Sequence, residues 1–417
     1  MTRGGAGTDE PHPSPIPHRW ALFAWACLLL TLASGTLLRL QWTGAVLLPF
    51  QPRHLLHAHS HVALLGWTFV GVFGLLLAPS LHARPRPLGG IAEGAIGALV
   101  ALIFLTFLQE GYGPRSIPLS MIHILVSYGI IWLYLRERRG WAELAGMEAA
   151  RPWIDLSLLW FVVSTMGPFM LAFGIWMGEA WTEAWVGYYL ALVFNGWLTF
   201  GVIGLLTGAL RGRCPAMAGG TAEGTSMTRA RRAMAIGVLP PLLPLFDPWI
   251  PVAGSAWIAW GGVLLFGGGL AWVGLHLVRT GERDGWGRSS IAQQLLRWSA
   301  TGAMVVTGVL LMLGTFPPVA APVAASRSLV VGFVHLQLLG LVSAGLALLL
   351  FAHPSLLGSA LLLVGGWGMI GVLLWVGAFE VLGLPVYAPV QWILTLGGSL
   401  ALVGAMILPW GRATPVR

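Results

Sequence analysis

Between Trp20 and Trp410 the sequence returns again and again to apolar runs of about 20 residues, the length an α-helix needs to cross the hydrocarbon core of a bilayer. Twelve runs meet that length with soft edges: Trp20–Leu40, His54–Pro79, Leu88–Leu108, Ile117–Leu135, Trp153–Trp176, Trp185–Leu210, Ala233–Ile250, Ala256–Val278, Ile291–Phe316, Ser328–His353, Leu356–Phe379 and Val390–Trp410. Only 9% of the 417 residues are charged, against roughly 25% in a soluble domain. The expectation is an all-α polytopic membrane protein of about twelve transmembrane helices, built as a single domain over residues 20–410. Residues 1–19 read as a polar, Pro- and Gly-rich disordered tail and 411–417 as a short C-terminal tail. The run after Trp20 lacks a small-residue cleavage site, so it reads as a first membrane helix rather than a removable signal. The seventh run is interrupted by Pro240, Pro241 and Pro244, which predict a kink. No internal repeat is evident in the sequence.

Lysine is absent, so all 23 basic residues are arginine. They fall in short loops rather than in a stripe, which excludes nucleic acid as the partner and leaves the lipid bilayer. Arg84 and Arg86, Arg136 to Arg151, Arg211 to Arg232, and Arg279 to Arg288 occupy even-numbered connections, while Glu110, Glu179, Glu183, Asp247 and Glu380 mark the odd ones. By the positive-inside rule both termini are cytoplasmic and the protein sits in the inner membrane. Cys27 and Cys214 form no CxxC pair and imply no disulfide framework.

Four of the eleven histidines, His54, His57, His59 and His61, fall within eight residues at the start of the second run. Histidine inside a membrane segment is costly and marks a functional site by default. His57 and His61 are four apart and share a helix face, whereas His59 points to nearly the opposite side. Heme iron takes two axial ligands, commonly histidines from facing helices. A copper or zinc ion could instead use His57 and His61 with a third ligand. Helix direction places His335 of the tenth run and His123 of the fourth at the same outer depth, so the counterpart is one of these two. Arg53, Arg39 and Arg327 lie at that level as well. Arg53 and Arg327 are candidates to pair with heme propionates, since guanidinium groups bind carboxylates bidentately. His123 reads as a structural histidine or a ligand of a second metal.

The Ala58-His59 pair and the run Gly332-Phe-Val-His335 in this topology resemble subunit I of the heme–copper oxidases. The resemblance implies a bundle like that subunit's, with His59 and His335 as the axial pair of a low-spin heme b. A shifted alignment on Gly66 selects His57 instead. Phe333 stands where the family has the ligand of its oxygen-reducing heme. Neither Tyr188–Trp197 nor Ala233–Pro240 contains the copper-binding histidines. Copper therefore has no ligands at its usual site, and terminal-oxidase activity is not expected. The His-Ala-His-x-x-x-x-Gly run is also similar to the nitric-oxide-response membrane proteins called NnrS, which carry heme and copper. Two function classes stay open at this level. One is a b-type cytochrome transferring electrons within a respiratory-type complex, with quinol, a cytochrome or another subunit as partner. The other is a non-redox scaffold, assembly factor, heme or copper handler, or sensor.

The charge pattern generates a direct test. A fluorescent reporter fused at the C-terminus should be active in the cytoplasm. An alkaline phosphatase inserted after Gly178 should be active on the far side; the reverse pattern would invert the orientation.

Overall fold

The computed structural model describes residues 18–83, 86–138, 147–174, 177–213, 224–283, 289–386 and 389–411. Residues 1–17 of the expected tail at 1–19, residues 412–417 of the one at 411–417, and Cys214 lie outside the described residues, while His18 and Arg19 belong to the first helix rather than to a tail. Among those residues there is no strand, and the chain is an all-α multi-pass membrane protein. In chain order the helices are α1 (His18–Trp42), α2 (Pro52–His61, continuing through Val62–Thr68 into Phe69–Ala83), α3 (Arg86–Glu110), α4 (Ser116–Glu137) and α5 (Met147–Ser164 with Met166–Phe173). They continue with α6 (Glu179–Ala191, Leu192–Leu198 and Thr199–Arg213), α7 (Thr225–Gly237), α8 (Ser255–Arg283) and α9 (Ile291–Gly314). After a short helix at Pro317–Ala325 come α10 (Arg327–His335, Leu336–Ser343 and Ala344–Leu350), α11 (Leu356–Val381) and α12 (Val390–Ile407).

Ten of these are long and apolar enough to cross a membrane. The two that fall short are α3, whose described apolar part is Gly94–Glu110, and α7. At α7 the structure departs from the expected kinked span: the helix stops at Gly237, and Pro240–Phe246 forms a tight 3₁₀ turn. Three prolines within five residues cannot supply the N–H groups an α-helix needs there. The same chemistry acts once in α5, where Pro168 cannot bond the Ser164 carbonyl and the helix turns at Thr165. Some helix starts carry side-chain caps. Ser290 and Gln293 form a reciprocal capping box at α9, and Ser355 caps α11.

Burial separates the helices into two shells. The apolar windows of α2 and α6 are each 78% buried and that of α10 67%, against 28% to 50% for the other spans. Helices α2, α6 and α10 are thus inner, and the others face outward with exposed apolar side chains such as Leu125, Trp132 and Trp392. Each inner helix also widens into a π-helical stretch, at Val62–Thr68, Leu192–Leu198 and Leu336–Ser343. Each stretch starts directly after His61, Ala191 or His335, and each carries a glycine five residues after that position: Gly66, Gly196 and Gly340. A Cβ on Gly66 would meet Cys27 Sγ of α1 at 3.0 Å, one on Gly196 would meet Trp160 Cγ of α5 at 2.8 Å, and one on Gly340 would meet Ala303 Cβ of α9 at 3.0 Å. The first helix of each successive group of four therefore presses on the inner helix at one equivalent point. This is a threefold internal repeat that the side-chain sequence hides, because only the glycine and the backbone widening are kept.

Close glycine contacts also join the outer helices, as expected where lipid supplies no hydrophobic drive between spans. On α12, a Cβ at Gly404 would lie 2.7 Å from the Gly358 carbonyl oxygen and 2.8 Å from Leu361 C, both backbone atoms of α11. Nothing lies within 4 Å of a Cβ at Gly371. Gly404→Ala should therefore destabilise the protein by roughly 1–3 kcal/mol through overpacking, seen as a lower thermal midpoint in detergent, while Gly371→Ala leaves the midpoint unchanged.

Candidate functional site

The histidines of α2 divide between two faces, as their spacing requires. His59 faces α1. Its Nδ1 is 2.9 Å from the Thr31 carbonyl oxygen and 3.3 Å from Ser34 Oγ. A carbonyl can only accept, so Nδ1 carries the proton and Nε2 keeps its lone pair. Gly35 makes room for the ring: a Cβ there would lie 2.8 Å from Cε1 and 3.1 Å from Nδ1 of His59. On α10, His335 follows the same rule. Its Nδ1 donates to the Val331 carbonyl at 2.7 Å, again leaving Nε2 unprotonated. The two imidazoles are close enough to interact electrostatically, and both feel the guanidinium of Arg39. Both residues are only partly buried.

Arg39 stands near enough to act on both imidazoles. It donates to Gln391 Oε1 at 3.2 Å, and its guanidinium lies 5.0 Å over the Trp42 ring. Its charge also couples to Arg327 at the start of α10. Arg327 is flanked by Ser326 and Ser328, whose hydroxyls donate to Glu380 at 2.7 Å and 2.6 Å and tie α10 to the end of α11. Among the described residues neither arginine forms an ion pair with a carboxylate. Two neighbouring cations without a counter-charge, beside a partly buried interior, favour an anionic group.

Of the residues singled out by sequence, the structure brings together His59, His335 and Arg327. It adds Arg39, together with Thr31, Ser34 and Gly35, which the sequence reading did not select; the small-residue run Ala33-Ser34-Gly35-Thr36 in a helix of large side chains is the signal that could have found them. Arg53 stands elsewhere, exposed at the start of α2 and acting on His57. His57 and His61 occupy the opposite face. His61 stacks on Phe107 with centroids 3.7 Å apart and donates Nδ1–H to the His57 carbonyl at 2.9 Å. His57 lies edge-on to Tyr112 at 4.7 Å. His123 of α4 is buried edge-on against Phe69 at 4.4 Å, with Ser127 Oγ 3.5 Å from its Nδ1. Among the described residues no group of three or more His, Cys, Asp or Glu could hold a metal ion. His57, His61 and His123 therefore do not converge as a copper or zinc site. Gln337, a conceivable partner for His335, instead donates to Asn195 Oδ1 of α6 at 3.1 Å.

The turn from α3 to α4 seats Tyr112 against the His57 face. Gly111 takes the left-handed conformation, φ +63°, and a Cβ on it would strike His54 at 2.9 Å. Glu110 holds this turn by accepting from the backbone N–H groups of Arg115 and Ser116, both at 2.8 Å, and from Arg115 Nε at 3.0 Å. Desolvation alone would raise the Glu110 carboxyl, but the hydrogen bonds from Ser116 and Arg115 and the Arg115 charge outweigh it and hold the group below its usual value. No known family model matches the chain, and no curated protein matches it.

Two outcomes follow from this geometry. Gly35→Val should displace the His59 ring and remove whatever the His59–His335 pair binds, while the conservative Ser34→Ala keeps it, since the Thr31 carbonyl still orients the ring. For Glu110 the folded value is the lower one, so its stabilisation is present above the ordinary glutamate range, about 4.3, and is lost as pH falls through the folded value. The thermal midpoint of wild-type protein should exceed that of Glu110→Gln at pH 7, and the difference should shrink as the medium is acidified below the ordinary glutamate range.

Proposed function

We propose that the protein is a membrane b-type cytochrome that holds one low-spin heme between α2 and α10, with His59 and His335 as axial ligands. The observation that carries this reading is the shared state of the two imidazoles. Each gives its Nδ1 proton to a backbone carbonyl, each keeps Nε2 as a lone-pair donor, and the two come from facing inner helices. Ligating histidines ordinarily donate their other ring N–H to such an acceptor, which fixes the ring and the tautomer. A heme held there by His59 and His335 would supply a one-electron couple.

The chain's own residues set the conditions for that couple. Thr31, Ser34 and Gly35 orient His59; Val331 orients His335. Arg39 and Arg327 offer the positive end that two propionates require, with Gln391 and Trp42 holding the Arg39 side chain. In this reading the bundle has twelve spans related to oxidase subunit I, lies in the inner membrane with cytoplasmic termini, and serves electron transfer beside other respiratory or cytochrome subunits. Phe333 and the histidine-free stretches of α6 and α7 leave no oxygen-reducing centre, so no oxidase activity is part of the proposal.

The test is the visible spectrum of the purified protein before and after dithionite. A sharp reduced band of b type, lost in both His59→Ala and His335→Ala while the variants still insert and purify, is the expected result. Carbon monoxide should leave the reduced band almost unchanged. A well-folded colourless protein sinks the reading, and strong carbon monoxide binding contradicts the assignment of Phe333.

A further inference from the structure

The threefold repeat makes a second place in the bundle equivalent to the one between α2 and α10. Aligned on Gly66, Gly196 and Gly340, His61 corresponds to Ala191 and His335, and His59 corresponds to Tyr189 and Phe333. The interface of α2 with α10 therefore combines the His59 and His335 positions. One step around the axis, the same two positions are Tyr189 of α6 and His61 of α2. The third step gives Phe333 and Ala191, which carry no polar atom beyond the backbone. Only the α2–α6 place has the side chains of a second site.

His61 stacks on Phe107 at 3.7 Å, and Tyr112 stands edge-on to His57, His61 and Phe107 at 4.7, 5.6 and 5.1 Å. Tyr189 is near enough to Tyr112 to interact with it electrostatically. His61 and Tyr189 are only partly buried, as His59 and His335 are. The His57 Nε2 atom is buried with no hydrogen-bond partner, a state that costs roughly 1–3 kcal/mol and calls for a donor or an acceptor. His61 gives its Nδ1 proton to the His57 carbonyl, so its Nε2 accepts. Among the described residues the Tyr189 hydroxyl has no hydrogen-bond partner, and it is free to donate or accept. Tyr112 is 60% exposed at the rim, beside the most outward-facing span, α4.

We propose that this place between α2, α6 and the α3–α4 turn binds the headgroup of a quinol. A flat neutral ring suits the aromatic walls, its hydroxyls can donate to His61 Nε2 and either donate to or accept from His57 Nε2, and a lipid-soluble molecule reaches Tyr112 along α4 from the bilayer. A metal ion does not suit it, because no set of three ligands converges here. As a source of electrons the quinol rests on the heme reading above; as a bound ligand it does not.

The experiment titrates full-length protein in lipid nanodiscs with a short-chain benzoquinol and follows tryptophan fluorescence, with the heme spectrum recorded separately. Saturable binding that weakens about tenfold in Tyr189→Phe and in His61→Gln is expected, the loss of one hydrogen bond at about 1.4 kcal/mol per tenfold. The Phe variant keeps the ring and the packing, so it separates a lost hydrogen bond from a lost fold. Undiminished binding in both variants, no saturable binding to wild-type protein, or a metal or second heme that is lost with His61 would overturn the proposal. A colourless protein that still binds the quinol through Tyr189 would refute the heme reading alone. A normal heme spectrum without quinol binding would refute this one alone.

Discussion

A histidine in hydrocarbon has one N–H to satisfy and one lone pair to spend, and the arrangement at His59 and His335 follows from how that is met. Both give the proton on Nδ1 to a main-chain carbonyl, Thr31 for one and Val331 for the other. An unsatisfied polar group at membrane depth would cost several kcal/mol, so the bonds are obligatory, and they leave Nε2 as the only chemistry the rings can offer. Everything nearby is shaped to keep those two bonds. Gly35 withdraws its side chain from the His59 ring, the inner helices carry the histidines to a common depth, and the serines before and after Arg327 anchor the start of α10 to Glu380.

The inner helices are also where the backbone departs from regular α geometry. Three π-helical stretches begin at equivalent positions in α2, α6 and α10. A π-turn leaves main-chain groups less regularly paired, and such turns concentrate at functional sites. Here each is compressed by the first helix of its own group of four at a glycine. The repeat explains why one bundle can hold one polar place of paired histidines, one of mixed imidazole and phenol, and one that is apolar: a common frame with different side chains at two positions.

Much of this was legible in the sequence. Segment length and the absence of charge gave the class, because the bilayer leaves few alternatives, and the counting of helix directions narrowed the counterpart of the α2 cluster to His335 or His123. Which histidine turns towards α10 was not legible from the motif, since a shift of two residues rotates the ring to the far side of the helix. That choice depends on the Gly35 recess in α1, which only packing reveals. Arg53 was a natural candidate by depth, yet it belongs to the His57 face, and Arg39 takes the place beside both histidines. The break of α7 exceeded the expected kink because three closely spaced prolines remove more hydrogen bonds than one turn can absorb. The internal repeat escaped notice because it survives in backbone shape and one glycine per unit rather than in matching side chains.

The central claim is that His59 and His335 bind one iron from both sides. Electron paramagnetic resonance of the oxidised protein, frozen in detergent or nanodiscs, reads the axial ligands directly. The account predicts a low-spin ferric signal of bis-imidazole type that converts to a high-spin signal when His335 is replaced by alanine. A high-spin signal already present in the wild-type protein, or a low-spin signal indifferent to both histidines, would contradict it.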